Sequence, residues 1–335
     1  MEKTFMILGT IDDEDDEFMQ YYVAKELGGT DRIYVYDYYG FEMASKDTIS
    51  HFEKQEAELS NLTEEDLTRI EKLVNSIKAN AKNIGLSTKL LEKNLETLSI
   101  FLNNNEPSAY TVRGNHININ CKHDKLHALA HELCHMEFSE VVVDEENKKV
   151  FLYSGLWTHV LDIDYVRHFD YDQNLIETKS QNSPINYGID DFLNEARTQK
   201  IFNIKEVSDY PSFGDIIQTL LGEKTCQKAR MLHDISLIEK GLLKIIPSET
   251  KAKELFKVLD NVFDKVNKDL AIKAEIEGYE ILSEYINAFV EKKPVDEKTY
   301  ETLTNWHVAC KTSAEQISKI KETLIVPNFN TEITM

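Results

Sequence analysis

The stretch His131-Glu132-Leu133-Cys134-His135 puts two imidazoles and a carboxylate at a spacing that permits metal chemistry. Side chains four residues apart on an α-helix share a face. His131 and His135 can therefore aim both rings at one ion, and imidazole nitrogens are ordinary ligands for Zn2+. Glu132 lies beside them, placed to take a proton from an attacking water rather than to bind the metal. Cys134 falls between the ligands and projects away from their face, so it reads as packing. The chemistry that fits is metal-assisted hydrolysis.

Such a set needs a helix with one buried face. Leu126, Leu129, Ala130 and Leu133 repeat at helical spacing, and His127, His131 and His135 form the neighbouring stripe. Ahead of this helix, 109–112 and 116–120 read as two strands around the tight-turn pair Gly114-Asn115. Ile117 and Ile119 alternate with polar residues, as in a strand with one buried face. The pair reads equally as a plain hairpin capping the helix or as a sheet edge that can bind an extended peptide through its backbone. Beyond the helix, 141–144 and 150–153 flank a polar loop as a second hairpin, and 155–164 is a further strand candidate.

Two histidines leave a catalytic zinc site incomplete, since three protein ligands are usual. A histidine six residues past His135 is ruled out, because Val141 stands there. An acid near position 155 is ruled out by Gly155. The remaining acids are Asp162, Asp164, Glu177, Asp190, Asp191 and Glu195. Glu195 is preferred: it shares a helical stripe with Phe192, Thr198 and Phe202, so its carboxylate points toward the interior, where it needs a partner. Asn194 and Asp191 are candidates to orient the imidazoles. Tyr187, Tyr210 and His233 are candidates to donate to a developing oxyanion, with Tyr210 preferred.

With these residues in view, the chain resembles zincins of the gluzincin type. In particular it resembles a group of bacterial zincin-like proteins whose second motif reads Asn-Glu-x-x-Thr-Glu. Asn194, Glu195 and Thr198 match that motif, and Gln199 replaces its last acid. The likeness runs from Asn115 to about Leu242. It implies Zn2+ held by His131, His135 and Glu195, Glu132 as general base, and a substrate strand pairing with the sheet edge ahead of the metal helix. The expected fold is α+β: a zincin-like core at 106–242, a mixed and helical region at 1–105, and a helical region at 243–335. The helices expected are 63–77, 87–102, one from about Asp190, and then 212–221, 225–241, 248–266, 272–290 and 313–324.

Composition narrows the function classes. A net charge of -21 argues against a nucleic-acid partner, which needs a basic surface. No apolar run approaches a membrane span, and the acidic run after Thr10 does not fit a secretory leader. Cys121, Cys134, Cys226 and Cys310 are widely spaced and read as reduced thiols, which fits a cytoplasmic protein. The expectation is a zinc metallopeptidase acting on a peptide or protein. An inactive zincin scaffold that binds or regulates, and a zinc hydrolase of a non-peptide amide, are the alternatives.

Overall fold

Four strands open the chain: β1 (Phe5–Asp12), β2 (Gln20–Glu26), β3 (Arg32–Asp37) and β4 (Glu42–Met43), antiparallel in that order. The computed structural model describes the backbone of these strands and residues 62–103, 108–112, 115–120, 125–144, 146–162, 185–203, 211–264, 266–292 and 295–323. Across these residues the protein is α+β, mainly helical with small sheets.

Helix α1 (Glu64–Asn83) starts at a reciprocal cap. The Thr63 hydroxyl accepts from the Asp66 backbone N–H, and Asp66 accepts from the Thr63 backbone N–H. Acids in its first turn suit the positive end of the helix dipole. A short α2 (Lys89–Leu95) follows, and then β5 (Ser99–Asn103). Here the expected helix at 87–102 is corrected. Leu90, Leu91, Leu95 and Leu98 fit a helical period, but 99–103 pairs parallel with β7 (His116–Asn120), and Ile100 is buried opposite Ile117. Tertiary pairing outweighs a local period that a strand can also carry.

The hairpin expected ahead of the His131–His135 helix is present. β6 (Ala109–Thr111) runs antiparallel to β7, and Asn115 takes φ 47 in the turn between them. The sheet order β5-β7-β6 leaves β6 on an edge. Helix α3 (Lys125–Met136) carries the pentapeptide. A second sheet, β8 (Ser139–Asp144), β9 (Lys149–Ser154) and β10 (Trp157–Asp162), follows in the order β10-β9-β8. Next come α4 (Tyr187–Phe202), α5 (Phe213–Leu221), α6 (Glu223–Met231) and α7 (Ser236–Ile245). The chain then continues as α8 (Glu249–Asn261), α9 (Lys268–Lys292) and α10 (Glu297–Thr323). The helix expected at 225–241 is thus two helices, broken where His233 takes φ 53. The last helix starts at 297 rather than 313, because Asp296 accepts from the Thr299 backbone N–H and caps it.

Contacts divide the chain into two compact units. One comprises Met1–Ile185, Arg197–Val207 and Lys228–Asp234, the other Asn186–Ala196, Ser208–Gln227 and Ile235–Met335. The first has a core of Leu73, Ile77, Leu91, Ile117, Leu129 and Leu133, among others, drawn from α1, α2, β5, β7 and α3, with Phe202 packed against it. In the second, Phe192, Phe213, Phe263 and Tyr279 form a ring cluster with neighbouring centroids 4.6–5.0 Å apart. Gly214 and Gly188 allow close backbone approach there: a Cβ on Gly214 would lie 1.9 Å from the Phe192 carbonyl oxygen, and one on Gly188 2.2 Å from that of Leu259. Among the described residues no helix is long and apolar enough to cross a membrane. Cys134, Cys226 and Cys310 are buried thiols outside any disulfide.

Candidate metal centre

Helix α3 is buried on more than one face. Leu129, Ala130, Leu133, Cys134 and Met136 enter the core, while Leu126 of the expected apolar stripe is 47% exposed. His131 and Glu132 are also buried, at 6% and 8%, and His135 is half-buried. Cys134 packs as expected, and burial pushes its thiol up, so it stays neutral.

The two imidazoles converge. His131 Nε2 and His135 Nε2 are 3.1 Å apart. Two nitrogens on a tetrahedral zinc, each about 2.0–2.1 Å from the metal, stand about 3.3–3.4 Å from one another. Two neutral rings sharing an N–H···N bond would give a similar separation. What that bond alone does not supply is an acid beside the rings. Asp191 on α4 offers a carboxylate oxygen that lies with one ring nitrogen from each histidine, all within 4.8 Å of one another. A buried group of two imidazoles and a carboxylate is a donor set that fits a zinc ion.

The supports of His135 are specific. Its backbone carbonyl accepts from the Ser139 hydroxyl at 2.8 Å, and the Ser154 hydroxyl lies 3.5 Å from its Nδ1. Ser154 ends β9, so the second sheet backs the ring nitrogen that faces away from His131.

Glu132 is held from the sheet. Its Oε2 accepts from the Tyr110 backbone N–H at 2.8 Å. In an antiparallel ladder, alternate residues turn their backbone groups toward and away from the partner strand. The N–H of Tyr110 therefore lies on the open edge of β6, and that edge runs beside the carboxylate. Tyr110 is fixed in turn, since its hydroxyl donates to Asn115 Oδ1 and is hydrogen-bonded with Ser139. Burial holds that phenol well above its ordinary range, so it stays protonated. Asn115 donates to the Asn94 carbonyl and to Thr97, and Asn94 donates to the carbonyls of Met136, which ends α3, and Ser139, which opens β8. This chain of bonds joins the hairpin, Glu132 and helix α3.

Helices α3 and α4 are tied by a buried ion pair. Arg197 Nε and Nη2 donate to the two oxygens of Glu137 at 2.8 and 2.7 Å, and Nη1 donates to Asn80 Oδ1 at 2.7 Å. Burial pushes the Glu137 carboxyl up, and the Arg197 guanidinium acts against it. Arg197 and Arg230 both lie over the Phe138 ring, at 5.4 and 5.3 Å.

The other expected site residues fall as follows. Glu195 is buried on α4, one turn beyond Asp191, and is not part of the group within 4.8 Å. It adjoins Asp215 of α5, whose carboxyl is pushed up to about 6 by burial and then by the charge of Glu195. Asn194 is fully buried. Tyr187 is 41% exposed and its ring meets Phe263. His233 stacks on Tyr153, and its Nδ1 is 2.8 Å from the Gly155 carbonyl oxygen, which commits that nitrogen to donation. Tyr210, Asp164, Glu177 and Cys121 lie outside the described residues, as does the side chain of Asp162. Sequence reading weighed Asp191 only as an acid in the neighbourhood and as an orienting group. The signal for more was its spacing: Asp191 and Glu195 stand four apart, mirroring His131 and His135. The Tyr110 backbone bond had no signal, because any residue carries that donor.

Against known proteins, no family model, no curated protein and no solved structure matches this chain.

Proposed function

We propose that this chain is a zinc-dependent peptidase of the zincin kind, as its resemblance to gluzincins implies. The observation that carries the reading is the grouping of one ring nitrogen each from His131 and His135 with an α4 carboxylate oxygen, next to a buried acid that is not part of that group. His131, His135 and Asp191 would hold the ion, and Glu195 is the other α4 carboxylate on the same face. A zinc ion held by these residues would supply Lewis-acid chemistry, acidifying a water and polarising a carbonyl.

The remaining steps belong to side chains. Glu132 takes a proton from the attacking water and passes it to the leaving amine. The Tyr110 bond fixes one of its carboxylate oxygens. An extended peptide lying beside β6 would present its amide next to Glu132, with the Tyr110 carbonyl as the outward backbone acceptor and its N–H already committed to Glu132. Backbone pairing reads little of the side chains, so the substrate class supported is an extended peptide or protein segment.

The test is turnover of a mixed peptide library by zinc-loaded protein, followed by mass spectrometry. Cleavage that a chelator stops and zinc restores is expected. An intact library with metal bound would leave the binding-scaffold or non-peptide amidase readings in its place.

A further inference from the structure

We infer that the Arg197–Glu137 pair is a positioning device for the metal centre, one that sets the spacing between the imidazoles of α3 and the carboxylates of α4. The inference rests on the proposed zinc site and names what determines its affinity.

Placement comes first. Glu137 follows His135 by two residues, just past the end of α3, where its backbone N–H still bonds the Leu133 carbonyl. Arg197 lies on α4 six residues after Asp191 and two after Glu195. Arg197 thus shares one helix with Asp191 and Glu195, less than two turns from either, and Glu137 directly follows the helix that carries His131 and His135. Two parallel bonds of 2.8 and 2.7 Å fix both the distance and the rotation between a planar guanidinium and a planar carboxylate. The third bond, to Asn80, adds α1 as a reference point.

Chemistry comes second. Both side chains are essentially without solvent contact, at 0% and 1% exposed. A buried ion pair is a poor source of stability, because desolvation offsets most of its attraction. Apolar side chains of similar volume commonly fold as well or better. What such residues lack is fixed geometry. Stability alone therefore explains poorly why a forked pair stands here rather than leucine and methionine, whereas registry between two ligand-bearing helices explains it. Lysine in place of Arg197 keeps a charge but offers no fork.

The experiment measures zinc affinity by chelator competition, with thermal unfolding of the zinc-free protein as the second readout. Three proteins are compared: wild type, Arg197→Lys, and the double variant Arg197→Met with Glu137→Leu. Both variants are expected to bind zinc about 10–100-fold more weakly, the range for loss of a group that orients ligands. The double variant is expected to unfold at or above the wild-type temperature. Unchanged affinity in a folded variant overturns the inference. So does a double variant that no longer folds, because the pair would then be needed for stability itself. A wild type that binds no zinc is a different failure and removes the site rather than the role of the pair.

Discussion

The backbone N–H of Tyr110 donates to Oε2 of Glu132 across 2.8 Å, so the acid proposed to move protons is held by the edge strand proposed to hold substrate. Glutamine can accept the same bond through its amide oxygen. Glu132→Gln should therefore keep the fold and bind zinc as tightly as wild type, while hydrolysis falls by about 10²–10⁴-fold, the usual worth of a general base. Peptide turnover and metal content measured on one preparation separate the two effects. Turnover within a few-fold of wild type would take the proton-transfer role away from Glu132.

The α4 ligand is open to a direct comparison. Asp191 lies within 4.8 Å of one ring nitrogen from each histidine, whereas the resemblance points to Glu195. Asp191→Asn and Glu195→Gln each remove one carboxylate with little change in shape. In this geometry Asp191→Asn weakens zinc binding the more, and a ligand loss costs more than the 10–100-fold of an orienting group. The reverse ranking in a zinc titration would give the third position to Glu195.

Asp260 offers a test away from the metal. Its Oδ1 accepts from the Gly188 backbone N–H at 2.7 Å and caps the start of α4. Burial raises its carboxyl above the ordinary value, opposed by the N–H groups of Gly188 and Asn186. A raised acid penalises the folded state above its folded pKa, and the penalty is gone below the ordinary value of about 4. Asp260→Asn, which keeps an acceptor without the charge, should be more stable than wild type at neutral pH, and that advantage should shrink as the pH falls. Asp260→Ala loses the cap and should cost about 0.5–2 kcal/mol. Urea unfolding at several pH values checks both, and an asparagine variant whose advantage grows toward acid pH would contradict the assignment.

Local signals carried much of the architecture. The Thr63 cap, the hairpin at Asn115 and the pentapeptide helix rest on spacing and turn chemistry, which act within a few residues and can be read from them. Residues 99–103 could not be read in that way. The leucines just ahead of them, Leu90, Leu91, Leu95 and Leu98, carry a helical period into this stretch, and pairing with β7, more than a dozen residues away, selects the strand. The break at His233 was hidden for a similar reason: a histidine in the left-handed region is held there by its bond to Gly155 and its stack on Tyr153. At the site, His131, Glu132 and His135 were legible because one helix carries all three. The carboxylate from α4 was legible as a face and not as a residue, since Asp191 and Glu195 share that face and only the packing of two helices separates them.

Zinc content per chain tests the central claim most directly. Protein purified and dialysed with excess zinc, then freed of loose metal, should retain about one zinc per chain by atomic spectroscopy. His131→Ala and His135→Ala should each retain almost none while keeping their helical content. Equal zinc in wild type and in both histidine variants would contradict the account, because the metal would then be held somewhere other than between these two rings.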